Sequence, residues 1–370
     1  MSSELFSPFR MNGVTLDNRI VVSPMGQYSG DGQGSATDWH TMHLGNLAVS
    51  GAGLVIIEAA AVEPQGRVSP IDLGIWSDAN AAALERVLGF CRKHSDCKWG
   101  MQIAHGGRKG GVSPAWKGQK PLAEKDGGWT PVSASGMAYP GREQPIALDS
   151  EGLIRVRDAF VAAAVRARDL GVDVLEVHNA HGYLLHCFLT PFANNRNDEY
   201  GGDREGRMRF PLEVFAAVRE VWPADRVLGV RISATDWAEG GWDLEDSIVF
   251  SQRLKDMGCD YITASSGGST PDQDIPIGPG YQMPLAEGIK REVDLAVMGV
   301  GLITEPRQAE KIIADGQADL VALGRGMLFN PRWPWHAALE LGGKITIPRE
   351  YERCHPDMRS GDFLKPRMDN

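Results

Sequence analysis

Cysteine is scarce in this chain. Its 370 residues hold five, Cys91, Cys97, Cys187, Cys259 and Cys354, an odd count with no C-x-x-C pair. That excludes a disulfide framework and the usual thiolate sites for zinc or iron–sulfur clusters, and it fits a reducing compartment. Positive charge is also in deficit. The formal net charge of −10 disfavours nucleic acid and anionic membrane surfaces as partners. Any anion the protein binds must meet a local site. No apolar run is long enough to span a bilayer; the most apolar, Gly53 to Val62, is short and carries Glu58. The opening residues, Met1-Ser2-Ser3-Glu4-Leu5, lack the basic-then-apolar layout of a secretory signal, so the expected location is cytoplasmic. A G-x-G-x-x-G turn after the first strand-like run is missing too. Ser23-Pro24-Met25-Gly26-Gln27-Tyr28 stands there instead, which weighs against an open doubly wound dinucleotide-binding sheet.

What is present is an alternation of short β-branched runs with longer amphipathic stretches, the pattern of βα units. Strands are expected at Arg19–Ser23, Leu54–Ala60, Trp99–Ala104, Val172–Val177, Val227–Ile232, Tyr261–Ala264, Ala296–Val300 and Leu320–Leu323. Helices are expected at His40–Val49, Asn80–Lys93 (capped by Asp78), Leu153–Leu170, Arg207–Val221, Leu244–Met257, Pro284–Glu292, Pro306–Asp315 and Pro334–Leu341. This is the count of a single-domain α/β protein, a (β/α)8 TIM barrel. The barrel is assigned to residues 1–345. A Gly-, Pro-, Ser- and Trp-rich connection at 106–149, after the third strand, is expected to cap the site. Residues 346–370 form an extension beyond the barrel.

Barrel enzymes carry their working residues at the C-terminal ends of the strands. The fourth strand leads into Glu176-Val177-His178-Asn179-Ala180-His181-Gly182-Tyr183. Two imidazoles and a phenol grouped there can hold a carbonyl oxygen and deliver a proton. Core imidazoles or metal ligands, with His105 or Glu176 as a third ligand, are the alternatives. Gly299-Val300-Gly301 and Gly324-Arg325-Gly326 end strands seven and eight, where barrels commonly bind phosphate on backbone N–H groups, and Arg325 adds a positive charge. Arg231 lies in a run that should be buried and needs an anionic or accepting partner. Either a carboxylate such as Glu58 or Glu176 supplies it, or a bound ring does. Gln102 can likewise satisfy core backbone groups or read a ring with alternating donors and acceptors. With a phosphate nest, a barrel-centre Arg and Gln suit a flavin.

These residues resemble the old yellow enzyme family of FMN-dependent ene-reductases, in the branch called thermophilic-like or class III. The resemblance runs from Leu5-Phe6-Ser7-Pro8 to about Arg353. It rests on Asn18-Arg19-Ile20, Ser23-Pro24-Met25, Asp38-Trp39-His40, the Gln102–Lys109 segment, the His178–Tyr183 block, Asp198-Glu199-Tyr200-Gly201-Gly202 and Ala318–Arg325. It implies that Ser23, Pro24, Met25, Gly26 and Ala60 line tightly bound FMN, and that Gln102 and Arg231 meet its ring. Gly301, Gly324 and Arg325 would hold its phosphate. His178 and His181 would bind the substrate oxygen, Tyr183 would donate the proton and Tyr28 would shape the pocket. No metal is implied. NADPH or NADH would reduce the flavin in a ping-pong cycle, and enones or enals would reoxidise it. Tyr351-Glu352-Arg353 matches a motif that reaches a neighbouring subunit, so a homodimer or homotetramer with Arg353 crossing the interface is implied. Gly26 departs from the pattern. Relatives in this branch usually carry Cys there, so a roomier pocket and altered flavin reduction are expected. Competing readings are a non-catalytic flavin-binding barrel, which would not need His178, His181 and Tyr183, and a metal-dependent barrel lyase using the histidine pair.

Overall fold

Short apolar runs between turn residues become the staves of a closed barrel. The computed structural model describes residues 3–354; residues 1–2 and the later part of the expected extension, 355–370, lie outside the described residues. The parallel strands are β1 (Ile20–Val22), β2 (Leu54–Ala61), β3 (Lys98–Ala104), β4 (Val174–Asn179), β5 (Val227–Ser233), β6 (Tyr261–Ser265), β7 (Ala296–Val300) and β8 (Leu320–Leu323). They pair in chain order and β8 closes onto β1, which makes a (β/α)8 barrel. The helices α1 (Asp38–Ala48), α2 (Asp78–Arg92), α3 (Ser150–Asp169), α4 (Arg204–Val221), α5 (Leu244–Asp256), α6 (Met283–Glu292), α7 (Pro306–Ala314) and α8 (Trp333–Leu341) follow the strands in turn.

Alternation along each strand sorts the two faces. One face packs on the helices. Inside, Val21, Leu54, Val174, Val227, Tyr261 and Leu320 form an apolar layer. A hairpin of Phe9–Met11 and Val14–Leu16 joins that layer through Met11, Val14 and Leu16 and plugs the lower end. The opposite end is left for polar side chains.

Two expectations change. Helix α2 is capped by Ser77, not Asp78: Ser77 Oγ accepts from Asn80 N and Asn80 Oδ1 from Ser77 N, both at 3.2 Å. Strand β4 runs on to Asn179, because His178 pairs with Arg231 and Asn179 with Ile232. His178 therefore belongs to the ladder and not to the turn beyond it. Of the two glycine turns, only Gly324 feeds a helix directly, Arg325–Phe329; α7 starts several residues after Gly301. Among the described residues no helix is long and apolar enough to cross a membrane.

Candidate active site

Strand register brings the polar side chains together. Gln102 lies opposite Glu176, His178 opposite Arg231, Arg231 opposite Thr263 and Ser233 opposite Ser265. Glu176 is wholly buried and accepts from Gln102 Nε2 at 2.7 Å, Thr263 Oγ1 at 2.6 Å and the Tyr261 hydroxyl at 3.2 Å. That turns the Gln102 amide nitrogen inward and leaves its carbonyl oxygen for another group. Arg231 has neither expected carboxylate as a hydrogen-bond partner. Glu58 is engaged by His40 at 3.3 Å and by the Gln27 N–H at 2.7 Å. Arg231 instead donates to Ser23 Oγ at 3.0 Å and Ser265 Oγ at 3.3 Å, and its buried Nε has no partner. A buried donor left bare costs about 1–3 kcal/mol. This place in the barrel is built for an acceptor that the protein itself does not supply.

The turn after β4 is tightly held. His181 and Gly182 both adopt positive φ, 62° and 69°. A Cβ at Gly182 would come within 2.2 Å of Gly268 O, so only glycine fits. The His181 N–H donates to Ser233 Oγ at 2.8 Å, Lys109 Nζ donates to His181 O at 2.8 Å, and the Gly182 N–H donates to His186 Nδ1 at 2.9 Å. The rings meet edge to face, with His178–His181 centroids 5.0 Å apart and His178–Tyr183 5.2 Å apart. Burial, then the Arg231 charge, holds both imidazoles well below the usual histidine range, so they are neutral. The backbone N–H of Ala180 donates to His178 Nδ1 at 3.1 Å, which puts the hydrogen of that ring on Nε2. Burial raises the Tyr183 phenol, so it keeps its proton at neutral pH. Burial lowers Lys109, beside it, to about 8.

These groups face a cavity of about 180 Å³. Of the expected residues, Pro24, Gly26, Tyr28, Gln102, His178, His181, Tyr183 and Arg231 line it. Ser23 lies one step back, on Arg231. Ala59 and Ala61 line the cavity and Ala60 does not; the β2–β3 register shifts between Ile57 and Ala60. Met25 packs toward Gly324, where a Cβ would stand 3.6 Å from its Sδ. Gly301, with φ 131°, Gly324 and Arg325 lie off this cavity at the ends of β7 and β8, and Gly324 follows Leu323, whose carbonyl accepts from Ser23 N. Arg353 is exposed in the turn Arg349–Cys354 and does not line the cavity. The reading from sequence missed Arg67 and Asp72, which also line it, and the supporting Lys109 and Ser265. Lys109 had a signal, its place in the Gln102–Lys109 segment; Ser265 had none. At Gly26 a Cβ would meet only the Tyr28 ring, at 3.9 Å, so the backbone admits a side chain there. Among the described residues no group of three or more His, Cys, Asp or Glu could hold a metal ion.

A buried guanidinium with one N–H left over, a free amide oxygen, an open Gly26 and a glycine turn at β8 together fit a flavin mononucleotide. The fold and site define a flavin-dependent barrel oxidoreductase. Residues 4–342 match the NADH:flavin oxidoreductase / NADH oxidase family. An NADPH dehydrogenase from Geobacillus sp. (strain WCH70) is 44% identical over 354 residues, 95% of this chain and 99% of the relative. The solved structure of morphinone reductase in complex with tetrahydroNAD superposes with a TM-score of 0.75 at 25% identity, covering 96% of this chain and 93% of that one. A longer 2-naphthoyl-CoA reductase shares the fold at a TM-score of 0.83 and 22% identity; 92% of this chain covers 52% of it. The chain belongs to the NADH:flavin oxidoreductase family, the old yellow enzymes. It is an FMN-dependent oxidoreductase that takes electrons from NAD(P)H.

Proposed function

We propose that the protein is an ene-reductase, reducing the C=C bond of α,β-unsaturated ketones and aldehydes at the expense of NADPH or NADH. The observation that carries this reading is the grouping of two neutral imidazoles and one protonated phenol around a single cavity beside Arg231. FMN, when bound, supplies hydride transfer from nicotinamide to the substrate β-carbon. Gln102 and Arg231 would hold its ring, with Ser23, Pro24, Met25, Gly26 and Ala60 around it; Gly301, Gly324 and Arg325 would hold its phosphate. His178 and His181 donate to the carbonyl oxygen and stabilise the charge that develops there; a donor so placed is worth about 3 kcal/mol. Tyr183 delivers its proton to the α-carbon. A phenol suits that step, because it resists ionisation at neutral pH yet yields a proton to a carbanion-like centre.

Tyr28 closes the pocket. Trp116 meets its ring edge-on at 5.6 Å, and Gln119 Nε2 donates to its hydroxyl at 3.5 Å, so the 106–149 connection contributes to the roof. In a homodimer or homotetramer, Arg353 of a neighbouring copy would reach this cavity. Its exposure at the end of the described chain supports that role.

The test is turnover of 2-cyclohexenone with NADPH, in the wild type and in Tyr183→Phe. The variant should lose about 100-fold or more in saturated product formed, while NADPH still reduces its flavin at the wild-type rate. Absence of saturated product from the wild type would remove the reading. Equal product from both would remove Tyr183 from it.

A further inference from the structure

Binding a carbonyl oxygen requires each histidine to offer an N–H, and a residue outside the turn stands against one nitrogen of His181. Ser265, at the end of β6, places Oγ 2.7 Å from His181 Nε2 and 3.3 Å from Arg231 Nη2. A guanidinium has only donors, so Ser265 Oγ accepts from Arg231 and must send its own hydrogen elsewhere. Two acceptors are in reach. Gln282 Oε1 is 3.5 Å away and already takes the Ser266 hydroxyl at 2.5 Å. His181 Nε2, at 2.7 Å, is much the better placed. With Nε2 accepting and the ring neutral, the hydrogen of His181 sits on Nδ1.

We propose that Ser265 is a positioning residue: it relays the donor direction from Arg231 and locks His181 as the Nδ1–H tautomer, opposite to the Nε2–H tautomer of His178. The alternative is that Ser265 merely fills space between the His181 ring and the Arg231 guanidinium. The proposal deepens the carbonyl-binding reading and rests on it for its functional consequence, but the tautomer itself does not depend on any substrate. The same relay joins the cation that would face the flavin ring to the imidazole that would face the substrate. A hydroxyl with one acceptor and one donor direction is suited to that post; a methyl group is not.

The test compares FMN-loaded wild type, Ser265→Ala and Ser265→Thr. Nitrogen–proton correlation spectra of the histidine rings report the tautomer. Affinity for p-hydroxybenzaldehyde, whose phenolic oxygen mimics an enolate, is read from the flavin absorbance. The wild type should show His181 as Nδ1–H. Ser265→Ala should show the Nε2–H form appearing, bind the phenol about tenfold more weakly, the loss expected for one hydrogen bond, and raise KM for the enone more than it lowers kcat. Ser265→Thr, which keeps the hydroxyl, should restore both the spectrum and the affinity. An Nε2–H form in the wild type would overturn the proposal. So would a Ser265→Ala protein with the wild-type tautomer and affinity. A wild type that neither binds phenols nor reduces enones would count against the ene-reductase reading alone, since the ring spectra still decide the tautomer.

Discussion

His178 shows how burial sets the chemistry of a residue. Removed from water and placed opposite Arg231 in the β4–β5 ladder, its ring cannot take a proton at neutral pH and can only offer the hydrogen on Nε2. The same shift has a consequence for stability. As pH falls through about 6.5, the unfolded chain protonates this histidine and the folded one does not. The unfolded state then binds more protons, so stability drops on acidification, by up to about 1.4 kcal/mol per pH unit for this group. His178→Ala should therefore lose stability less steeply than wild type between about pH 6.5 and 5, in urea unfolding at stepped pH. Parallel curves for the two proteins would mean that the ring titrates normally in the fold. At this scale much of the site was legible. His178, His181, Tyr183, Arg231, Gln102, Tyr28, Pro24 and Gly26 all face one cavity. Arg231 was legible as a buried charge, but its partners were not. They are serines on β6 and after β1, and nothing in the surroundings of a serine announces an arginine or histidine partner dozens of residues away.

The strands were the most readable elements. A stave buried on both faces appears as a continuous apolar run, and the observed bounds differ from the expected ones by only a residue or two. The short helices Leu184–Leu189 and Arg325–Phe329 were not readable, because neither is long enough to show a period. The 106–149 connection holds only short turns and a two-residue parallel pair, Val132–Ser133 with Ile146–Ala147. Its order comes from anchors. Arg108 is fully buried and donates to the carbonyls of Met137 at 3.2 Å, Phe192 at 3.0 Å and Ser269 at 2.6 Å, tying the connection to the loops after β4 and β6. Arg108→Ala strands those carbonyls, and each buried group left unpaired costs about 1–3 kcal/mol. We expect a loss of about 3 kcal/mol or more in stability and new protease cleavage confined to 106–149. A wild-type digestion pattern would show that the connection is held by other contacts.

As a whole, the molecule is an acidic body with one small group of cations at the cavity mouth. Arg67 and Arg231 line the cavity, Lys109 touches the His181 carbonyl, and Arg142 donates to the Lys109 carbonyl and to Gln119 Oε1. The net charge of −10 therefore coexists with local positive charge at the cavity, beside the lining carboxylates Glu58 and Asp72. In the proposed cycle this mouth passes reducing equivalents from NADPH to an enone. The most direct test of that cycle is an anaerobic two-stage mixing experiment on the purified holoenzyme. NADPH is added first and the flavin absorbance followed; 2-cyclohexenone is added second. Bleaching on the first mixing, recovery on the second and one equivalent of cyclohexanone are expected. A flavin that NADPH bleaches but the enone leaves bleached would contradict the cycle.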